Sequence, residues 1–376
     1  MKEAGNVKKR LASLDVLRGL DLWFLIIAGP LLGTFLECAG IRCSWFEHNF
    51  SHVDWEGFVA WDLIMPLFMF MSGITIPFSL GGYKTANRPG KEFYLRLAKR
   101  FILLFFFGWI VQGNLLNLDF KYFHPFANTL QAIAVGYVGS ALMFAYLRPK
   151  GQIAVTALLF IGYILAFVFS GMNLDPENNI AMVVDKAVLG SHRDGVIWAE
   201  DGSWTFNAGY QYTWILSSLN FIVTVMLGCF AGEIIRHKND EATARKAMIL
   251  AATGAALVVA GLAMSPFFPI IKKIWSSSMT LYAGGISFLL IAATYYIVDV
   301  RKWGGKLEWI KWFGMNSIAV YVISHVFGFE SITESVLHGL KHHVGDLYPF
   351  IIDFANSLIL ILIMRYMYRN RIFLKV

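Results

Sequence analysis

Val59-Ala-Trp61-Asp62-Leu-Ile-Met-Pro66-Leu-Phe-Met-Phe-Met-Ser-Gly73-Ile-Thr-Ile-Pro-Phe-Ser-Leu80 is the stretch that decides the fold. A helix needs about 20 apolar residues to cross a ~30 Å hydrocarbon core, and this run supplies them. In lipid the backbone must satisfy its own hydrogen bonds, which a helix does. The run also carries an acid, Asp62, and intramembrane acids are rare and usually functional. Just before it lies a polar segment, Cys43-Ser-Trp-Phe-Glu-His-Asn-Phe-Ser-His52-Val-Asp54-Trp-Glu-Gly57. That segment separates it from a second apolar run, Leu20 to Leu36. His52 therefore sits at a membrane face beside a span with an acid in it. Imidazole changes protonation near neutral pH. A solvated loop histidine is the plain alternative.

The pattern repeats along the chain. It has 376 residues, 57% hydrophobic and 15% charged, with a mean hydropathy of +0.57. This excludes an ordinary soluble globular protein. Apolar runs fall near 20–36, 59–80, 101–118, 128–147, 152–171, 211–235, 247–265, 278–298, 312–328 and 349–367. They predict an all-α polytopic membrane bundle of about ten transmembrane helices. The alternation of an outer-membrane barrel is absent. The expectation is a single transmembrane domain over 1–376, with a short basic segment at 1–12 and an external loop at about 171–210. The first apolar run is too long for a signal-peptide core, so it reads as a mature span.

Charge sets the expected orientation. With the N-terminus cytoplasmic, 25 of the 32 Lys and Arg residues fall in inner segments. This follows the positive-inside rule and makes both termini cytoplasmic. The net charge of +7 then reflects topology and implies no nucleic-acid partner. The basic patches could meet membrane lipid head groups. A multi-pass protein of a bacterial cytoplasmic (inner) membrane is the expected setting. Of nine histidines, only His237 falls on the inner side. Cys38 and Cys43 lie close enough to pair in an oxidising compartment. No Cys/His spacing suggests a zinc site.

Further polar positions fall inside or beside the spans. Asp15 and Arg18 are three apart and share a helix face. Arg18 and the helix N-terminus suit phosphate, although a structural Asp–Arg pair is an even alternative. Span 4 opens with Asn128-Thr-Leu-Gln131. Span 9 carries Asn316, then Ser317, Tyr321 and His325 at four-residue spacing, a polar stripe suited to a cavity wall. Lys272-Lys273-Ile-Trp275-Ser276 puts lysines on the side where positive charge is disfavoured, a signal for binding an anion or an acyl oxygen. Acids and Trp198 and Trp204 in the 171–210 loop would suit a lid over a sugar, or simply an interfacial belt.

These blocks resemble the transmembrane N-acetyltransferases related to heparan-alpha-glucosaminide N-acetyltransferase, with their bacterial NagX-like relatives. The resemblance rests on Arg10-Leu-Ala-Ser-Leu-Asp15-Val-Leu-Arg18-Gly19, on His52 to Gly73 and on Leu130-Gln-Ala-Ile-Ala-Val-Gly-Tyr137. It continues through Lys273-Ile-Trp275-Ser276, Val298-Asp-Val and Gly314-Met-Asn316-Ser317-Ile-Ala-Val-Tyr321-Val-Ile-Ser-His325, in that order. It departs at Ala132, where the family carries arginine.

The resemblance implies acetyl transfer from cytoplasmic acetyl-CoA, a co-substrate, to the amine of a glucosamine-type sugar across the membrane. The family's catalytic histidine maps onto His52. Asp62 or Asp54 would orient it. Arg18, Asp15, Gln131, Lys273, Trp275, Asn316, Ser317, Tyr321 and His325 would serve the acetyl-CoA side, and Lys273, Asn316 or Tyr321 would donate to the oxyanion. No metal is required. Expected partners are lipid, acetyl-CoA and an amino-sugar acceptor. A homodimer is compatible, and the oligomeric state is not set by the sequence. Two other classes fit the same pattern: a sugar transporter, and an O-acyltransferase acting on cell-envelope glycans.

Overall fold

The computed structural model describes residues 11–84, 89–113, 119–237 and 242–374. It is an all-α polytopic bundle. Helix α1 spans Ala12–Cys38, with a π-turn at Phe24–Ala28. A short α2, Ser44–Asn49, precedes the long α3, Ala60–Tyr83, whose first turn is a 3₁₀ helix. Then come α4 Lys91–Gln112, α5 Thr129–Tyr146 and α6 Pro149–Phe169. Helix α7, Ile180–Leu189, and a hairpin of β1, Val196–Trp198, and β2, Trp204–Phe206, fill the long loop. Val196 pairs with Phe206 and Trp198 with Trp204 in that antiparallel hairpin.

The second half holds α8 Ser218–Arg236, α9 Ala244–Met264 and α10 Ser277–Val300. Next is a broken pair, α11 Glu308–Met315 and α12 Ser317–Val326. Helices α13, Glu330–Leu337, and α14, Tyr348–Arg369, close the chain. Among the described residues, 8 helical segments are long and apolar enough to cross a membrane. Of the runs in the sequence, 101–118 corresponds to the basic-ended α4, and 312–328 to the broken pair.

Three boundaries differ from the hydropathy reading for physical reasons. Helix α1 begins at Ala12, well before residue 20. Asp15 and Asp21 lie within it, both buried against neighbouring helices, so their polarity hid the helix rather than ending it. Helix α4 begins at Lys91, because Arg96, Lys99 and Arg100 lie on its first turns. Span 9 breaks at Asn316, whose backbone leaves the helical region at φ −120 and ψ 32.

Close packing rests on small residues. A methyl group on Gly73 would strike the carbonyl of Val225, and one on Gly228 the carbonyl of Phe70. The α3 and α8 backbones therefore nearly touch, as small-residue membrane interfaces allow. Gly314 meets the Asp15 carbonyl, and Gly19 the carbonyl of Ile310. That contact sets α1 against the helix break.

The two ends of the bundle differ. The loops at 39–59, 171–217 and 265–276 are tied together at one end. Trp55 Nε1 donates to the Leu174 carbonyl (3.1 Å) and the Gly57 amide to that of Ile270 (2.9 Å). The Thr213 amide donates to Lys273 O (3.0 Å). The opposite end gathers basic groups: Lys246 donates to Ile235 O and Arg236 to Pro77 O.

Candidate functional site

The His52 loop is fixed before any ionic contact is counted. Phe46 stacks on Phe50 at 4.1 Å between ring centres, and Phe50 meets Phe24 at 4.9 Å and Trp61 at 5.6 Å. These rings anchor the loop to α1 and to the start of α3. His52 Nδ1 then lies 2.7 Å from Asp62 Oδ1. Asp62 is 2% exposed as a side chain, and His52 is 44% exposed. Its second oxygen accepts from the Val59 amide at 3.3 Å, capping the 3₁₀ turn. A buried carboxylate thus has a partner at each oxygen, as burial demands.

A third group completes the cluster. Lys272 donates to Asp62 Oδ1 at 3.2 Å, and its Nζ is also 3.2 Å from His52 Nδ1. Burial lowers the Lys272 amine from the ordinary lysine range, while the Asp62 carboxylate opposes that shift. Its loop is tied at almost every turn. Ser276 and Ser278 hydroxyls both donate to Pro269 O (2.8 Å each), and Asn220 donates to Trp275 O at 2.9 Å. Ser217 and Tyr163 donate to Ile274 O. Trp275 adopts a left-handed φ of +53, a conformation that the surrounding bonds must hold.

A cavity of about 700 Å³ opens between α1, α3, α4, α5, α11 and α12. Arg18, Arg96, Lys99 and Arg100 line it, with Thr129, Tyr137, Ser317 and Tyr321. The Arg100 guanidinium lies 3.7 Å from the centre of the Tyr137 ring, and its Nε has no hydrogen-bond partner. Arg18 donates to Met71 O at 3.2 Å. From the C-terminal tail, Phe373 and Leu374 close one wall.

One helix face connects the cavity to the His52 cluster. Phe68, Ser72, Thr75 and Ser79 line the cavity on α3. Continued upward at the same three- and four-residue spacing, that face carries Met65 and then Asp62. Between them, Thr129 Oγ1 donates to Met65 Sδ at 3.5 Å. By helical rise Asp62 stands roughly 9 Å above Phe68.

The other residues singled out in the sequence fall in three settings. Ser317 and Tyr321 line the cavity with Arg18; His325 is exposed, stacked on Tyr321 at 4.2 Å. Asp54 is exposed on the His52 loop. Asp15 is buried beside Gly314. Gln131 is fully buried; its Oε1 accepts from the Ala127 amide at 2.9 Å and its Nε2 has no partner. Lys273, unlike Lys272, turns away to Gln211 at 2.9 Å. The Trp275 indole donates to Thr224 at 3.0 Å. Asn316 holds the tail, donating to Ile372 O (3.1 Å) and accepting from the Leu374 amide (3.2 Å). Cys38 and Cys43 are unbridged.

Sequence reasoning missed Lys272 as the partner of Asp62, and it missed the Arg96, Lys99 and Arg100 face. The second had a signal, since those cations recur at helical spacing on α4. Among the described residues, no cluster of three or more His, Cys, Asp or Glu side chains is arranged to hold a metal ion.

Fold and site together define a polytopic helical membrane protein with an ionic cluster at one end and a basic cavity entering from the other. Residues 10–200 match the family described as a domain of unknown function, DUF5009, and the chain belongs to that family. It is also related to human heparan-alpha-glucosaminide N-acetyltransferase, at 26% identity over 426 aligned positions. The mouse protein of the same name aligns at 24% identity over 429 positions. Each alignment covers 98% of this chain, and the chain spans about 60% of the length of those curated relatives.

Proposed function

We propose that this protein is an integral membrane acetyltransferase. It moves an acetyl group from cytoplasmic acetyl-CoA to the amine of a glucosamine-type sugar at the opposite membrane face, with His52 as general base. One observation carries this reading: His52 Nδ1 is 2.7 Å from the buried Asp62, on the same α3 face that lines the basic cavity below. The named relatives support the same reading at the level of the reaction.

The chemistry follows from that geometry. Donation of Nδ1–H to Asp62 leaves Nε2 as the basic nitrogen of the ring. Nε2 takes the proton from the attacking amine, a role worth roughly 10²–10⁴ in rate. The amine nitrogen bonds to the thioester carbon, and the carbonyl becomes an oxyanion. Its collapse breaks the C–S bond and expels the CoA thiolate. Arg18, Arg96, Lys99 and Arg100 would hold the CoA phosphates, as guanidinium groups do well. The pantetheine arm would rise along Ser79, Thr75 and Ser72 and pass Met65. Asp62 orients the base; Tyr321, which lines the cavity, would donate to the oxyanion.

The test is acetyl transfer from radiolabelled acetyl-CoA to glucosamine by detergent-purified protein, with His52→Ala in parallel. The expected result is transfer that the variant loses while retaining CoA binding. Wild-type rates in His52→Ala would remove the proposed base. No transfer and no CoA binding in the wild type would remove the acetyltransferase.

A further inference from the structure

Asp62 orients His52, but its charge also acts on the resting protonation state of the ring. A carboxylate beside an imidazole favours the imidazolium, which has no lone pair to offer. The structure answers this with a second charge. Lys272 Nζ lies 3.2 Å from both Asp62 Oδ1 and His52 Nδ1. We propose that Lys272 is a positioning residue of this site: it offsets the Asp62 charge and so opposes a second positive charge on His52.

With Asp62 ionised and Lys272 protonated, the pair is neutral toward the ring. Protonating His52 would then set two cations 3.2 Å apart, of which one is a side chain only 11% exposed. Two like charges at that separation repel. In the neutral tautomer with its hydrogen on Nδ1, Asp62 Oδ1 is the shared acceptor for that N–H (2.7 Å) and for a Lys272 N–H (3.2 Å).

The surroundings leave that arrangement undisturbed. Tyr212 is the titratable group that faces Asp62 from the loop before α8. On the His52 loop itself, Glu47, His48, Asp54 and Glu56 are exposed to solvent, where their fields are screened. Lys272 has little freedom to leave. The Gly57 amide donates to Ile270 O (2.9 Å), joining the two loops, and the Trp275 amide donates to Lys272 O (2.9 Å).

The inference rests on the acetyltransferase reading for its kinetic arm only. Protein in lipid nanodiscs is compared as wild type, Lys272→Met, Lys272→Gln and Lys272→Arg. In kcat/KM for glucosamine acetylation, the acid limb of the pH profile moves upward in the Met and Gln variants. Lys272→Arg returns it toward the wild-type position. In parallel, ¹⁵N-histidine NMR reads the ring directly, with His52→Gln assigning its signal. The Met and Gln variants show more imidazolium at neutral pH than the wild type. An unmoved acid limb and an unchanged ring signal in both would overturn the proposal, as would a shift to lower pH. A structural lysine would lower thermal stability in these variants and leave both readouts where they were. If no protein transfers acetyl, the NMR arm still decides the role of Lys272, while the functional reading fails separately.

Discussion

Replacing Asp62 by asparagine tests the site through stability and activity at once. Asp62 is 2% exposed and Lys272 11%, with 3.2 Å between the charged atoms. At an effective dielectric of about 20, two charges at that distance attract by roughly 5 kcal/mol. Most of that is offset by desolvation, so the intact pair adds little net stability. Removing one partner is different, because Lys272 then stays buried without its counter-ion. The new amide also turns either Nδ2 or Oδ1 toward the Val59 amide, so one contact is mismatched. Asp62→Asn is therefore expected to cost about 3–5 kcal/mol. Adding Lys272→Met removes the stranded charge and recovers most of that loss. Activity behaves otherwise: both proteins lose roughly 10²–10⁴ in acetyl transfer, since the base is no longer oriented. Denaturant titration of the purified protein followed by tryptophan fluorescence gives the stabilities, and radiolabelled transfer gives the rates. A single variant as stable as wild type, or a double variant no more stable than the single, would refute the buried-pair account.

Four other outcomes follow from the same geometry. Arg100→Ala, which removes a cation from the cavity wall, should weaken acetyl-CoA binding by about tenfold or more, read by calorimetry at low salt. Gly314→Ala drives a methyl group into the Asp15 carbonyl and should cost about 1–3 kcal/mol in thermal stability, with Gly314→Ser no better. Asn316→Ala frees the Ile372 carbonyl and the Leu374 amide, so carboxypeptidase should trim the C-terminus faster than in wild type. Asp185, outside the spans, accepts from the Trp214 and Ile215 amides, and burial pushes its carboxyl up to about 6. A raised acid stabilises fully below its unfolded value and loses that contribution as pH climbs through about 6. Protection of the 214 and 215 amides, corrected for intrinsic exchange, should therefore fall between about pH 4 and about pH 7, and Asp185→Asn should flatten the change.

The parts of this architecture legible in the sequence are those written in local periodicity. The α3 run is apolar and long enough to cross a membrane, and the helix is there. Asp62 stood out because an acid in such a run is costly, and His52 because it lay just outside. The spacing from Asp62 through Met65 and Phe68 to Ser72, Thr75 and Ser79 is also visible in one dimension. Lys272 was not, since it reaches Asp62 across 210 residues and no repeat links the two. The KK pair gave a signal without saying which lysine faced the site; the tied loop decides that, with Lys273 turned to Gln211. Asn316 is a different case. Its polarity suggests a ligand contact, and its amide also fastens the C-terminal tail at a backbone break. Hydropathy cannot tell a polar group that serves a substrate from one that repairs a broken helix, because both lower the mean by the same amount.

The α3 face also explains how a donor on one side and an acceptor on the other could share a reaction. From Ser79 to Asp62 the helix rises roughly 26 Å, close to the ~30 Å hydrocarbon thickness. A ligand following that route needs polar contacts that lipid-buried helices seldom offer without penalty. The hydroxyls here meet the condition. Ser72 donates to Met69 O (2.7 Å), Thr75 to Ser72 O (2.6 Å) and Ser79 to Thr75 O (2.8 Å). Each of these hydroxyl protons is satisfied within the helix. Each oxygen keeps lone pairs toward the cavity, where the amide N–H groups of a pantetheine arm would find acceptors. Beyond Ser72 the face turns apolar at Phe68 and Met65, and the cavity ends. A thioether on three rotatable bonds can yield there at small cost. On this face Met65 lies between the cavity lining and the His52 cluster, packed against the core and accepting a weak hydrogen bond from Thr129 Oγ1 (3.5 Å).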